Sequence, residues 1–264
     1  MVSRATLTVV LAAFVLLSGC SGLVGNGGGD GTPTEELPED PSAFEHADGF
    51  GAEGVTDGET ALETYTAAVQ TQDNYTADYG YVVTTGEGET DVDVEYRVDF
   101  EAEQAYQHAE VASPRVNATI NNYYENDKRY SLAEYEGEQG NVSVENETFP
   151  PEQLTASEAV EPLLLNATDY NATVDRRNGV PVVVYQTTDI DNANGVLGVN
   201  DPDSVSDFQA TFVVDSDGVI HSATYELAYM VDGEERSATM EFELTNLGDT
   251  TVERPEWADQ TGDS

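Results

Sequence analysis

Cysteine and basic residues are scarce in this chain of 264 residues, which has one Cys and nine Lys plus Arg, with Lys128 the sole lysine. One cysteine excludes an intramolecular disulfide framework and a Cys-rich metal site. Against 52 Asp plus Glu, nine cations leave a net charge of -43. Such a chain repels nucleic acid, because an acidic surface forfeits the counterion release that dominates affinity for phosphates. No basic cluster is larger than Lys128-Arg129 or Arg176-Arg177. Long apolar runs are scarce too. Leu7 to Leu17 would span about 16 Å as a helix, half of a hydrocarbon core of about 30 Å, which argues against a permanent transmembrane segment. Histidine occurs three times. There is no Gly-x-Ser-x-Gly elbow, no His-Glu-x-x-His and no phosphate-cradling Gly-Lys-Ser/Thr loop, so the common hydrolase, zinc-protease and nucleotide signatures are missing.

What is present begins with Leu17-Ser18-Gly19-Cys20. Arg4 supplies a positive start, Leu7 to Leu17 an apolar run, and Ser18-Gly19 the small residues that let a peptidase cut before Cys20. The stretch reads as a lipobox, with a signal peptide over residues 1–19 and a lipid on the Cys20 thiol. Arg4 has no adjacent second arginine, which favours the general secretory route over a twin-arginine signal. A buried core helix is the rival reading, but the Gly-rich run Ser21 to Asp30 cannot continue a folded element. From Cys20 to residue 57 the chain is rich in Gly, Pro and acids, and it is expected to be a flexible tether of about 35 Å root-mean-square span. His46 lies in this stretch with no partner near it in sequence. The expected location is the outer face of the cytoplasmic membrane, with the lipid on Cys20 as the membrane partner.

Acidity of this degree also describes disordered chains. Here, however, 14 Tyr and 8 Phe fall largely at alternating positions, a pattern that makes sense only with one face buried. The remaining account is a folded protein whose surface repulsion is screened by high salt. In composition, everything after Cys20 resembles proteins of halophilic archaea.

Order is expected from Thr56, where Thr56 and Glu59 would form a capping box. Ala61, Leu62, Tyr65, Ala68 and Val69 recur at helical spacing over about residues 58–71. The period then becomes two. Tyr75, Ala77, Tyr79, Tyr81 and Val83 alternate with polar residues, as do Val92, Val94, Tyr96, Val98 and Phe100, and Gly86-Glu87-Gly88 predicts a hairpin between them. Asn178-Gly179, Asp217-Gly218 and Asp232-Gly233 predict further hairpins, because turn residues of this kind accept positive φ. The last two turns produce a three-stranded meander. Thr155 to Leu165 reads as a second helix interrupted by Pro162, which lies too deep to be a first-turn proline.

The predicted fold is mainly β (α+β). It is a strongly curved antiparallel sheet or half-barrel of about 8–11 strands, with two helices on the concave side, because two short helices cannot cover so wide an apolar face unless it curls around them. One domain is expected over residues 58–257, with a disordered tail at 258–264. The concave side is either packed by its own Tyr and Phe side chains or partly open as a ligand cavity.

The lipidated Cys20, the tether, one amphipathic helix, long meandering strands, a helix carrying Pro162 and the segment Val214-Asp-Ser-Asp-Gly218-Val-Ile resemble the lipoprotein-carrier and mycobacterial glycolipid-carrier superfamily. That resemblance covers about residues 58–257 and implies an open half-barrel that holds acyl chains. It assigns no ligand-contacting residue here. A closer resemblance is to lipobox lipoproteins of haloarchaea, a group that supplies no activity.

Individual candidates weigh little beside this. His108 is expected on the surface or an edge, and His221 on the same strand face as Val219, Ala223, Tyr225 and Leu227, as a structural histidine. Asp189, Asp191, Asn192 and Asn194 vaguely suggest a calcium loop, but the spacing fails at Ala193 and no Glu closes it, so no metal or cofactor is expected. Six Asn-x-Ser/Thr sequons occur, at Asn74, Asn117, Asn141, Asn146, Asn166 and Asn171. They are either glycan acceptors or a by-product of favoured polar residues. The leading expectation is a binding or carrier module for an apolar ligand such as a lipid. The alternative is a structural or protein-interaction component of the cell envelope, and a surface hydrolase ranks third.

Overall fold

Alternating apolar and polar side chains need a sheet with one face removed from water, and this chain builds one very wide sheet to satisfy them. A computed structural model describes residues 37–191 and 205–260, which lie within a unit beginning at Leu37. The elements in chain order are β1 (Phe50–Gly51), β2 (Gly54–Val55), α1 (Gly58–Gln70), β3 (Asn74–Thr85), β4 (Gly88–Asp99), β5 (Gln104–Ala112), β6 (Asn117–Glu125), β7 (Lys128–Tyr135), β8 (Glu138–Gln139), β9 (Ser143–Asn146), α2 (Ser157–Asn166), β10 (Ala167–Thr168), β11 (Asn171–Arg177), β12 (Val180–Thr187), β13 (Asp189–Ile190), β14 (Val205–Asp215), β15 (Ile220–Val231) and β16 (Glu234–Thr245).

The main sheet has 12 strands, in the order β11-β12-β14-β15-β16-β3-β4-β5-β6-β7, with β8 and β9 both on the far side of β7. Every pairing is antiparallel. The sheet does not close on itself. It consists of two meanders, β3 to β7 and β11 to β16, joined where β16 pairs with β3. The open mainly-β architecture with two helices agrees with the sequence reading, but the strand count exceeds the expected range. The short strands β8 and β9, with no alternation long enough to notice, make the difference.

Turn chemistry explains the tight connections. Asn178-Gly179 has φ of 50° and 89°, and Asp232-Gly233 has 53° and 82°, as a two-residue hairpin with the strands' own twist requires. Asp217-Gly218 lies in a longer loop, where the Asp215 carboxylate accepts from the N–H of Asp217 and of Val219, both at 3.0 Å.

Both helices cover one face of the sheet, the core face. Helix α1 buries Ala61, Tyr65, Ala68 and Val69, the stripe expected from its spacing. Its cap is Asp57, whose carboxylate accepts from Thr60 N–H at 3.0 Å, and not the expected Thr56–Glu59 box. The second helix runs through Pro162 without ending. The Tyr65 hydroxyl donates to the Thr155 carbonyl at 2.9 Å, and that of Tyr75 donates to the Leu154 carbonyl. These bonds satisfy two buried phenols while fixing the approach to α2, and burial drives both phenol pKa values up.

Residues 40–57, expected to be tether, are folded. Phe50 is buried and stacks near Tyr185 and Phe212 at 6.2 and 6.3 Å between ring centroids. Gly49 (φ +83°) lies so close to α1 that a Cβ there would meet the Ala61 nitrogen at 2.3 Å. His46, expected to lack partners, bonds through Nδ1 to the Tyr185 hydroxyl at 3.0 Å and through Nε2 to the Pro41 carbonyl at 2.9 Å. Composition alone hid this segment, because one aromatic anchor outweighs its polar neighbours. The expected signal peptide, Cys20, the first part of the tether and most of the expected tail lie outside the described residues.

Candidate functional site

Register carries side chains in continuous rows across the core face. One row runs Phe212, Ala223, Phe242, Tyr79, Val94, Ala109, Ile120 and Ala133, from β14 to β7. The next runs Ala210, Tyr225, Met240, Tyr81, Val92, Val111, Ala118 and Tyr135 along the same strands. Both rows are apolar from end to end, yet their burial changes along the way. Every member on β14, β15 and β16 is buried, whereas Tyr81 is 37% exposed, Ile120 37% and Tyr135 53%. Ala109, Val111, Ala118 and Ala133 are half-buried. Along these two rows the face that the helices cover at one end of the sheet therefore opens towards β6 and β7, while Ala105 and Tyr124, further along the same face, stay buried.

A third row borders this apolar strip. It starts as Leu244 and Ala77 and becomes polar as Tyr96, Gln107, Asn122 and Ser131. These four side chains form one hydrogen-bonded chain. Ser131 Oγ donates to Asn122 Oδ1 at 2.7 Å, Asn122 Nδ2 to Gln107 Oε1 at 2.9 Å, and Gln107 Nε2 to the Tyr96 hydroxyl at 2.8 Å. Tyr96 then donates to Glu158 Oε1 of α2 at 2.6 Å, and Tyr79 reaches the same oxygen at 3.3 Å. Burial first, and the Glu158 charge second, push the Tyr79 and Tyr96 phenols up, so both stay protonated and keep donating. Every bond points toward the carboxylate. Ser131 stands at the far end of this chain of donors, half-buried and paired with Ser143 of β9. The strip and its polar border escaped the sequence reading, although Gln107, Asn122 and Ser131 each break an otherwise small or apolar phase on three successive strands.

The outer face is different in kind. An open depression of about 830 Å³ is lined by Gly80 and by the acids Asp78, Asp93, Glu95, Glu110, Glu241 and Glu243, among others. Burial and neighbouring acids hold the Asp78 and Asp93 carboxyls above their usual range. Among the described residues no group of three His, Cys, Asp or Glu is placed to hold a metal. Asp189 and Asp191 are described, while Asn192 and Asn194 lie outside the described residues.

His108 sits on this outer face between Asn121 at 2.8 Å and Glu110 at 3.1 Å. His221 does not share the face of Ala223, Tyr225 and Leu227. Val213 pairs with Ser222 and Val214 with Ile220, so His221 is the extra residue of a β-bulge. The bulge turns it outward, where its Nε2 meets Asp215 Oδ2 at 2.8 Å. The sequons also divide. Asn117, Asn141, Asn146 and Asn171 are exposed, Asn74 is half-buried, and Asn166 is buried.

A model of a family of unknown function (DUF7537) matches residues 5–261. The chain belongs to this family. No curated protein matches it. Among solved structures the chain is similar to LprF from Mycobacterium bovis, with 13% identity, 75% of this chain and 96% of that chain covered, and a TM-score of 0.37. It is likewise similar to the lipoprotein LppX from Mycobacterium tuberculosis, with 12% identity, 73% and 95% coverage, and a TM-score of 0.37. Likeness of this degree says nothing of a ligand.

Proposed function

We propose that the protein is a lipid-anchored module of the cell envelope that holds the apolar chain of an amphiphile against the open end of its core face. One observation carries this reading. The same apolar rows that are buried under α1 and α2 at β14 to β16 emerge uncovered towards β6 and β7, with Ile120 and Tyr135 the most exposed. Exposed apolar strips with a polar rim mark surfaces that meet an apolar partner. The polar row from Tyr96 to Ser131 gives such a rim, where the polar head of an amphiphile would sit. Lipid-like chemistry also fits the location expected from the lipobox at Cys20. Among the described residues no helix is long and apolar enough to cross a membrane, and a lipid on Cys20 would supply the anchor.

The test uses the full chain in about 1 M salt, which shortens the range of charge repulsion to about 3 Å. Binding of a long-chain monoacylglycerol is measured by its retention with the protein on a sizing column, for the native chain and for Ile120→Asp. Retention that the substitution abolishes supports the reading. No retention, or retention indifferent to the substitution, removes it, and a co-eluting protein in place of lipid favours an envelope interaction component.

A further inference from the structure

The geometry points to N-linked glycans on four of the six sequons, Asn117, Asn141, Asn146 and Asn171, where they screen both ends of the open sheet. An open antiparallel sheet leaves two edges that invite pairing with another chain. Among the described residues the edges are β11 on one side and β8 with β9 on the other. Asn171 is the first residue of β11, Asn146 the last of β9, and Asn141 lies between β8 and β9. Asn117 opens β6, and its backbone N–H donates to Glu136 at the turn leading into β8. Three exposed sequons therefore gather at one edge and the fourth marks the other. The depleted cations give these edges few lysines, the usual blocking device, so bulky hydrated sugars would supply what the composition withholds.

The two other sequons lack room. Asn166 is 7% exposed, and its Nδ2 donates to the Pro162 carbonyl at 2.8 Å. A sugar there would need space inside the core and would strain this bond. Asn74 is half-buried, and its Oδ1 accepts from Thr250 N–H at 2.6 Å, which holds the side chain against the C-terminal segment.

In the transfer itself, Nδ2 displaces phosphate from the anomeric carbon of a lipid-phosphate-linked sugar. The N–C bond forms, the C–O bond breaks, one amide proton leaves, and the phosphate departs as an anion. The inference rests on the extracytoplasmic location proposed above.

The experiment is peptide mass spectrometry of the full-length chain purified from membranes of the cells that make it, reading the peptide that begins at Cys20 together with all six sequons. Sugar on Asn117, Asn141, Asn146 and Asn171, and none on Asn74 or Asn166, is the expected result. Lipid on Cys20 with the four exposed sites bare overturns the inference and leaves the location intact. A bare Cys20 with bare sequons overturns both, and sugar on Asn166 overturns the sorting by burial. The screening role has its own readout, namely sedimentation of a variant with all four asparagines changed to Gln. Concentration-dependent association is expected, and a monomer at every concentration overturns it.

Discussion

Changing Asp78→Asn should stabilise the protein in low salt and do almost nothing in high salt. On the outer face Asp78 stands directly opposite Glu243 on one side and Glu95 on the other. Directly opposed like charges in a sheet cost roughly 0.2–1 kcal/mol per pair. Asp78 is partly exposed, and Arg97 already binds Glu95 at 2.6 Å, so solvent and this cation confine the relief to about 0.5–1 kcal/mol. Opposed Cβ atoms are about 5 Å apart, within the screening length of about 10 Å at 0.1 M salt and beyond that of about 3 Å at 1 M. For a domain of this size the low-salt gain corresponds to a rise of about 1–4 °C in melting temperature. The pH dependence has a definite sign. Burial and the two glutamates raise the Asp78 pKa in the folded state, so its contribution to stability is present below the ordinary carboxylate range and lost as pH rises through the raised value. The variant's advantage should thus appear near neutral pH and vanish on acidification. Melts followed by circular dichroism in both salts and at both pH values check this. An equal gain in both salts, or a loss in low salt, would refute the electrostatic account.

Four further substitutions test the packing, a fifth serving in a double-mutant cycle. Phe212→Ala removes a ring 1% exposed, with centroids 5.0 Å from Tyr185 and 5.2 Å from Tyr170, and should cost about 3–5 kcal/mol in denaturant melts. Gly49→Ala places a Cβ 2.3 Å from the Ala61 nitrogen at φ +83° and should cost well over 1 kcal/mol. Gly137→Ala, at φ +79° with nothing within 4 Å, should lose only about 1 kcal/mol. Equal losses for the two would mean that residues 49–55 do not sit on α1. Asn122→Leu breaks two bonds of the polar row and should cost about 1–2 kcal/mol. A double-mutant cycle with Gln107→Leu that shows no coupling would contradict a connected row.

Much of this architecture is legible in the residues. The alternation in β3, β4 and β14 to β16, the stripe of α1 and the Asn-Gly and Asp-Gly turns are local signals, and local physics delivers them. What was hidden depends on register or on single anchors. Phe50 turns an acidic, Gly-rich stretch into folded chain through contacts with Tyr185 and Phe212 distant in sequence. One inserted residue at the β14–β15 pairing sends His221 to the opposite face, and no periodicity announces a bulge. The apolar strip and its polar border exist only once β4 to β7 are aligned, because Gln107, Asn122 and Ser131 are unremarkable until their rows coincide.

The central claim is that the open end of the core face receives an apolar chain. The most direct measurement is photo-crosslinking of the full-length protein with a long-chain monoacylglycerol carrying a diazirine in its acyl chain, followed by peptide mapping. The account predicts crosslinks on the core-face residues of β5 to β7, centred on Ile120 and Tyr135, and their loss in Ile120→Asp. Crosslinks confined to the outer face, or absent while the protein remains folded, would contradict it.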